Sequence, residues 1–447
     1  MKEYFIGIGG IGMSALALHE YFKGNKVYGS NLEENERVKY LKDIGLKVYV
    51  GHSYENVPED VDLVIRTRAV NNENPEILRA EDLGVRILER NDLMIEEISS
   101  LKPSIGITGT DGKTTTTAMI FHALKKLGER PYGFLGGLHK DFEHGNYSKG
   151  EKGVVFELDE STPVFSKYNV THLVITNSRG DHLENFKNDV RYYIKSFIDL
   201  VKNVEGITVT FIDDEISGEL GDVTFGVGRG DFSFVERKAN GNSQVFTFKD
   251  PHGKYHDVRL SVPGFHNCLD ALATIALLST IGYPMDAVIE SLKDFTSVSR
   301  RFTISYKDEE RDLYIIDDYA HTPEEVKNLL LTVKEVFPNK KVIAIFQPHR
   351  YSRTLRENER FPSSLEIADE IFVTKIYGAY EKGIKVSARD IVSGLSKSGK
   401  NAKFVESLAD FIHNYVPENN SVMVFIGAGD IINYSAQFVN RLREAIV

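Results

Sequence analysis

A segment rich in glycine and threonine at residues 109–115 carries the clearest chemistry in the sequence. It reads Gly109-Thr110-Asp111-Gly112-Lys113-Thr114-Thr115. Glycines let backbone N–H groups surround phosphates, a lysine at this place reaches the terminal phosphates, and the following threonine hydroxyl can ligate Mg²⁺. A strict P-loop has its first glycine at position 107, where this chain has Ile107. The segment therefore predicts a variant phosphate loop for ATP and Mg²⁺, distinct from the GTPase type.

Acidic residues and a histidine follow two later apolar stretches. Glu157 and Asp159-Glu160 close the first stretch, and Asp181-His182 comes shortly after the second. Because the parallel strands of an open α/β sheet bring their carboxyl ends to one edge, we expect these groups near the phosphate loop. A carboxylate beside nucleotide phosphates is a natural Mg²⁺ ligand, whereas a histidine leaves Mn²⁺ as an alternative metal.

A second glycine-rich turn lies near the N-terminus, in Gly7-Ile8-Gly9-Gly10-Ile11-Gly12. Between a strand and a helix, such glycines let the backbone approach a diphosphate at the helix N-terminus. A dinucleotide site would need a carboxylate at the end of the next strand. This chain has Asn31 there and no acid before Glu33. The turn therefore indicates a different diphosphate ligand, with an NAD-dependent dehydrogenase as a remote alternative.

Polar clusters recur at the predicted strand ends of the last third of the chain. Arg350 and Arg353 are spaced i, i+3, so a helical turn would direct both to one carboxylate or phosphate. Side chains at the carboxyl edge of a sheet are expected to line a binding site. The other clusters are Gly264-Phe265-His266-Asn267, Ser299-Arg300-Arg301-Phe302, Asp317-Asp318-Tyr319-Ala320-His321 and Gly427-Ala428-Gly429-Asp430.

Composition limits the class of partner. The 447 residues carry a net charge of −11, which argues against nucleic acid or an anionic membrane as the main partner. The one cysteine, Cys268, excludes an intrachain disulfide and lies in an apolar helical run, where packing is its expected role. No apolar run reaches the ~18 residues of a membrane helix. We therefore expect a cytoplasmic protein with no nucleic-acid and no membrane partner.

Short apolar runs alternate with amphipathic helical patterns, which predicts parallel α/β sheets. The length suggests about three domains. We place them at 1–100, 101–297 and 298–447. Strands are predicted at 4–8, 26–29, 47–50, 63–67 and 86–88 in the first, at 104–108, 153–158 and 172–176 with a β-rich stretch over 208–262 in the second, and at 313–317, 342–346, 370–374, 402–404 and 421–425 in the third.

Together these motifs resemble, over essentially the whole chain, the ATP-dependent Mur ligases of peptidoglycan precursor synthesis. The order of the motifs is that of the family, and residues 7–13, 346–354 and 427–431 look like the member that adds alanine. The shared motifs are 109–115, Glu157, Thr176-Asn177 with Asp181-His182, 264–267, 300–302 and 317–323.

The resemblance implies a Rossmann-like N-terminal domain, a central P-loop ATPase-type α/β domain with a mixed sheet, and a Rossmann-like C-terminal domain. It also implies a role for each matching residue. The UDP substrate would lie on Gly7, Gly9, Gly10, Gly12, Met13, Ser14 and Asn31; ATP on 109–115, Asn267, Arg301 and Asp317; the metal on Thr114, Glu157 and His182; the amino acid or new carboxylate on His321, Arg350 and Arg353; and catalysis on Lys113, His182, Arg301 and His321.

The implied activity is ligation of L-alanine to the carboxylate of UDP-N-acetylmuramate through an acyl phosphate, by a monomer or weak dimer. Such a reaction serves cell wall biogenesis, cell shape and cell division. A ligase that recycles a preformed peptide onto UDP-N-acetylmuramate is the nearest alternative. Three departures from the family pattern matter. Asp270 replaces a usual Asn near adenine, and Asn31 replaces a usual Asp near uridine. Ser178-Arg179-Gly180 differs from the common Ile-Glu-x before Asp-His.

Overall fold

The computed structural model describes residues 1–180, 182–379, 381 and 385–444. Asp181, one of the predicted site residues, lies outside the described residues. The contacts divide the chain into two compact units. Unit 1 comprises Met1–Glu236, Phe246–Arg259 and Leu269–Val298, and unit 2 comprises Arg237–Val245, Leu260–Cys268 and Ser299–Val447.

The first sheet of unit 1 has five parallel strands in the order β3-β2-β1-β4-β5. Its strands are rich in Val, Ile and Tyr, and helices on both faces supply the crossovers that parallel strands need. The strands are β1 Lys2–Ile6, β2 Lys26–Asn31, β3 Lys47–Val50, β4 Leu63–Arg66 and β5 Arg86–Glu89, and the helices are α1 Ile11–Lys23, α2 Glu36–Asp43, α3 Pro75–Asp82 and α4 Arg90–Ser100.

The second sheet has ten strands in the order β15-β14-β13-β12-β11-β10-β6-β9-β7-β8. It is mixed, since β7 and β8 are antiparallel whereas β6 is parallel to both of its neighbours. The strands are β6 Ser104–Thr108, β7 Tyr132–Phe134, β8 Tyr147–Ser148, β9 Val154–Glu157, β10 His172–Ile175, β11 Thr208–Phe211, β12 Val223–Val227, β13 Phe232–Asn240, β14 Ser243–Lys249 and β15 Tyr255–Leu260, with helices α5 Lys113–Lys126, α6 Val190–Lys202, α7 Phe265–Thr280 and α8 Met285–Ser291.

The two sheets of unit 1 share a hydrophobic core. One cluster of buried side chains joins Phe5, Leu16 and Leu93 of the first hundred residues to Phe156 and Leu173 of the second sheet. Polar contacts cross at the same place: Asn146 Nδ2 donates to Ile11 O at 2.6 Å. The predicted boundary at residue 100 therefore separates two sheets that are packed as one body.

Unit 2 contains a six-stranded sheet in the order β16-β17-β21-β18-β19-β20. The edge strand β16 is antiparallel to β17, and the other neighbours are parallel. The strands are β16 Thr303–Asp308, β17 Leu313–Asp318, β18 Lys341–Phe346, β19 Glu370–Thr374, β20 Ala402–Val405 and β21 Ser421–Ile426, and the helices are α9 Pro323–Val336, α10 Tyr351–Glu357, α11 Phe361–Leu365, α12 Arg389–Lys397, α13 Leu408–Asn414 and α14 Ile431–Glu444.

The α/β fold class is confirmed, and the predicted strands lie within two residues of the observed ones. Cys268 is fully buried, as its packing role requires. Sequence reasoning missed the two short strands β7 and β8 and the edge strand β16. Among the described residues, no helix combines the length and the apolar composition that a membrane crossing requires.

Candidate active site

The phosphate loop connects β6 to α5 at the carboxyl edge of the second sheet. Gly109 and Gly112 have φ of 130° and 81°, the left-handed region that favours glycine. A Cβ at Gly109 would lie 2.6 Å from Asn177 O, and one at Gly112 would overlap the Asp270 carboxylate. The two glycines are therefore required by both backbone conformation and space.

The strand next to β6 holds the loop in shape. Asn177, just beyond β10, accepts from Thr110 N through its backbone oxygen and from Asp111 N through Oδ1, both at 3.0 Å. Thr176 Oγ1 donates to Asp111 O at 2.5 Å. Arg179 adds a hydrogen bond from its N–H to Thr110 Oγ1 and an ion pair with Asp111. The Thr-Asn pair of the sequence thus stabilises the loop backbone.

Lys113 lies at the first residue of α5 beside a buried carboxylate. Its Nζ is 3.0 Å from Glu160 Oε2 and donates to Thr110 O at 3.2 Å. Burial opposes the charge on both groups, but the pKa of Lys113 remains raised because Glu160 and Asp159 are close, while burial raises the pKa of Glu160. The lysine therefore keeps its positive charge at neutral pH.

The candidate metal ligands Glu157 and Thr114 lie on either side of a glycine pair. Glu157 Oε1 accepts from Gly136 N at 2.6 Å, and a Cβ at Gly137 would lie 3.1 Å from Thr114 Cγ2. A carboxylate and a hydroxyl are hard oxygen donors, so this pair fits Mg²⁺. His182 has φ of 63°, and its Nδ1 lies 3.5 Å from Glu184 Oε1. The place of His182 in the metal set stays a prediction.

Three side chains away from the phosphate loop, His19, Glu20 and Glu97, are close enough together to ligate one metal ion. Within the described part of the chain, His19, Glu20 and Glu97 form the one group of three His, Cys, Asp or Glu residues whose ligand atoms lie within 4.8 Å of each other. The Lys23 ammonium already lies 2.6 Å from Glu97 and 3.2 Å from Glu20. We interpret this group as a salt-bridge cluster.

The N-terminal glycine turn is fixed by its neighbours in the first sheet. Gly7 has φ of 83°, and its N–H donates to Ser30 O at 2.8 Å. Asn31 Oδ1 accepts from Gly9 N, and Asn35 Nδ2 donates to Gly9 O, each at 3.2 Å. Asn31, predicted as a substrate contact, is therefore bonded to the turn itself.

Met13 and Ser14, also predicted for the UDP substrate, direct their side chains into the protein. Met13 is 3% exposed, and the Ser14 hydroxyl accepts from Asn146 at 2.9 Å. Space beside Gly12 is filled by Arg90, because a Cβ at Gly12 would overlap Arg90 Nη1. Sequence reasoning missed Arg90, the first residue of α4, which lies 78 residues after this glycine.

Unit 2 carries a half-buried group of opposite charges at the start of α9. Glu325 Oε1 accepts from Arg301 Nη1 at 3.1 Å, and Glu325 Oε2 accepts from His321 N at 3.0 Å. Thr322 and Glu325 form a capping box at this helix start. Burial lowers the pKa of His321 to about 4, so the imidazole is neutral at pH 7 and able to accept a proton. Glu325 was missed, although Thr-Pro-x-Glu is a capping signal.

A second carboxylate near Arg301 is that of Asp318. Asp318 Oδ2 accepts from Phe302 N and Oδ1 from Ala320 N, both at 2.7 Å, and burial raises its pKa to about 6 against the effect of Arg301. Asp317, the predicted ATP contact, precedes it on β17, so its side chain points to the other face of the sheet. Burial raises the pKa of Asp317.

Arg350 and Arg353 are held differently from the prediction. Arg350 immediately precedes α10 with φ of 68°, so the two arginines do not share the helical turn that the i, i+3 spacing assumed. Arg350 Nε donates to Glu381 at 2.8 Å, whereas Arg353 Nη1 lies 3.3 Å from His349 Nδ1. The His349 ring is 6.0 Å from the His321 ring. Arg353, His349 and His321 therefore form one cluster.

The helix start at 264–268 contains Asn267, whose Nδ2 donates to Pro263 O at 2.6 Å. Three residues on, Asp270 accepts from the Thr116 hydroxyl at 3.2 Å. Asp270, which stands where the resemblance leads us to expect Asn, therefore places a carboxylate next to Gly112 and the first turn of α5.

The second sheet carries a P-loop whose lysine lies beside carboxylates, and unit 2 carries arginines and histidines that can bind anions. These features define a nucleotide-dependent enzyme with anionic substrates. The family models described as "Mur ligase family, catalytic domain", "Mur ligase middle domain" and "Mur ligase, glutamate ligase domain" match residues 2–100, 107–278 and 300–429. The chain belongs to the Mur ligase family.

Several relatives match the chain over nearly its full length. A UDP-N-acetylmuramate–L-alanine ligase of Thermotoga neapolitana is 48% identical over 100% of this chain and 97% of the relative. The crystal structure of UDP-N-acetylmuramate–alanine ligase from Thermotoga maritima has a TM-score of 0.92 at 46% identity and covers 100% of both chains. A murein peptide ligase from Psychrobacter arcticus shares the fold, with a TM-score of 0.75 at 21% identity and coverage of 99% and 98%.

Proposed function

We propose that this chain joins L-alanine to the carboxylate of UDP-N-acetylmuramate with conversion of ATP to ADP and phosphate. The observation that carries the proposal is the full-length similarity to ligases of that name, at 48% identity. The reaction is a step of peptidoglycan precursor synthesis, and the proposed locus is the cytoplasm.

The chemistry requires that two anions meet. A carboxylate is a poor acyl donor, so it must attack the γ-phosphate of ATP to form an acyl phosphate. Lys113 is positioned to neutralise the phosphate because Glu160 and the loop carbonyls fix its ammonium. Thr114 and Glu157 would hold Mg²⁺, which supplies further neutralisation of phosphate charge when bound.

The amine of L-alanine then attacks the acyl phosphate, and phosphate leaves. The attacking amine must be neutral and therefore loses a proton during the reaction. His321 is neutral at pH 7 and shares a cluster with His349 and Arg353, so its ring can accept a hydrogen bond from the amine next to a carboxylate-binding arginine. Its lowered pKa of about 4 makes it a weak base. We assign L-alanine binding to this cluster and ATP binding to the loop at 109–115.

The test measures ADP release from ATP and UDP-N-acetylmuramate with L-alanine, glycine, L-serine, a tripeptide or no amino acid. The proposal requires strong stimulation by L-alanine and little by the tripeptide. Stimulation by the tripeptide alone would assign the chain to peptide recycling instead. Omitting Mg²⁺, or replacing it with Mn²⁺, tests the metal in the same assay.

A further inference from the structure

Arg90 lies between the glycine turn of the first sheet and the segment that follows β9 in the second sheet. It is the first residue of α4, directly after β5, so it stands at the carboxyl edge of the first sheet, where the glycine turn follows β1. A Cβ on Gly12 would overlap Arg90 Nη1 and lie 3.4 Å from Arg90 Cζ. The absence of a side chain at Gly12 is what lets the guanidinium lie against the turn.

The guanidinium is held from its other side. Arg90 Nε and Nη2 donate to Asn91 Oδ1 at 3.2 and 2.9 Å, and Nη2 donates to Asp159 Oδ2 at 3.2 Å. These bonds use Nε and Nη2, whereas Nη1 is the nitrogen nearest to Gly12. Arg90 is 32% exposed, so a ligand on the turn has access to it.

Asp159 belongs to the segment after β9 and is next to Glu160, the partner of Lys113. The Asp159 carboxylate accepts from Arg90 of the first sheet, while its neighbour Glu160 pairs with Lys113 of the phosphate loop.

A guanidinium presents planar pairs of N–H groups that match phosphate oxygens, and it keeps its charge at all relevant pH values. The Arg90 guanidinium would therefore place a full positive charge beside the backbone N–H groups of the glycine turn. Asp159 satisfies one edge of the guanidinium and orients the other toward Gly12.

We propose that Arg90 binds the diphosphate of the UDP substrate and that Asp159, from the segment after β9, positions it there. This inference rests on the proposed function, which supplies the diphosphate. The UDP site is therefore completed by a residue outside the first hundred. Arg90 acts as a binding residue, and Asp159 acts through it as a positioning residue.

The test is calorimetric titration of UDP-N-acetylmuramate, without ATP, into the full-length wild type and Arg90→Ala, Arg90→Lys, Asp159→Asn and the Arg90→Ala/Asp159→Asn double variant. Arg90→Ala should raise Kd about 10- to 100-fold, as expected for loss of a charge-assisted contact. Arg90→Lys should recover part of the affinity, since it restores charge without the planar pair. Asp159→Asn should raise Kd about 3-fold or more in the presence of Arg90 and should add nothing to Arg90→Ala.

The control is Arg86→Ala, which removes the same charge at the opposite end of β5, where Arg86 forms an exposed ion pair with Glu96. It should leave Kd unchanged. Arg90→Gln replaces Arg90→Ala if the alanine variant is unfolded by circular dichroism.

Each other outcome has a distinct meaning. If the wild type binds UDP-N-acetylmuramate and the folded Arg90 variants bind it with the same Kd, the inference is overturned and the proposed function stays intact. Additive effects of the two substitutions would overturn the positioning role of Asp159. No binding of UDP-N-acetylmuramate by the wild type would overturn both the inference and the proposed function.

Discussion

Replacing Lys113 by alanine separates its role in ATP turnover from its role in stability. The Lys113 ammonium lies 3.0 Å from Glu160 Oε2, and the Glu160 side chain is 4% exposed. Removing one partner of a buried ion pair leaves an uncompensated charge and costs about 3–5 kcal/mol. We expect Lys113→Ala to lower the free energy of unfolding of unit 1 by about 3 kcal/mol at pH 7.5 and to abolish ATP turnover.

The matched control is the double variant Lys113→Ala/Glu160→Gln. It removes the uncompensated carboxylate, so most of the lost stability should return, with a residual deficit of about 1 kcal/mol. ATP turnover should stay absent, because the amide restores no positive charge at the loop.

The pH dependence has a defined sign. Without Lys113, the folded-state pKa of Glu160 lies further above its unfolded value of 4.5, so the folded state binds a proton that the unfolded state does not. The deficit of the single variant should therefore be full at neutral pH and vanish as the pH falls to about 4.5.

Urea unfolding at pH 7.5 and 5.0 measures the stabilities, and calorimetry measures binding of UDP-N-acetylmuramate. The double variant should still bind the UDP substrate. Equal instability of the single and double variants at both pH values would refute the ion-pair reasoning. Loss of UDP-substrate binding in the folded double variant would contradict the separation of the two ligand sites.

Three further predictions concern unit 2. Arg353→Ala should raise the KM for L-alanine at least 10-fold in the ADP-release assay with little change in the KM for ATP, because Arg353 lies in the cluster assigned to the amino acid; an unchanged enzyme would exclude that role. Thr322→Ala removes the N-cap of α9 and should cost about 1 kcal/mol in urea unfolding, whereas Thr322→Ser should cost a few tenths at most; equal losses would contradict the cap. Burial lowers the pKa of His321 to about 4 and the pKa of His349 to about 3, below the 6.5 of an unfolded histidine. The unfolded state therefore takes up protons first as the pH drops. The free energy of unfolding should fall between pH 6.5 and pH 4, by up to about 3 kcal/mol for His321. His321→Asn should reduce that pH slope, measured as the urea midpoint at pH 6.5 and 4.5.

The parts of the site that sequence could predict are those fixed by local chemistry. The phosphate loop begins after Thr108, as predicted, because the glycine positions leave few other conformations, but the helix begins at Lys113, inside the predicted 109–115 segment. Buried strands such as Glu370–Thr374 were also located to the residue, since a short apolar run between polar segments has one plausible role.

Other features depend on contacts that the sequence does not display. Arg90 meets Asp159 across 69 residues. Which of Asp317 and Asp318 faces Arg301 depends on strand register, and a shift of one residue reverses the two. The i, i+3 spacing of Arg350 and Arg353 suggested one helical turn, but the left-handed backbone at Arg350 directs its side chain to Glu381 instead.

The core that joins the two sheets of unit 1 has a consequence for folding. A fragment ending at residue 100 would expose the apolar surface that Phe5, Leu16 and Leu93 share with Phe156 and Leu173. Such a fragment is expected to aggregate, and the two sheets are expected to unfold in one cooperative transition. A nucleotide bound to the phosphate loop of the second sheet would then protect amides of the first sheet from hydrogen exchange, because both sheets open only together.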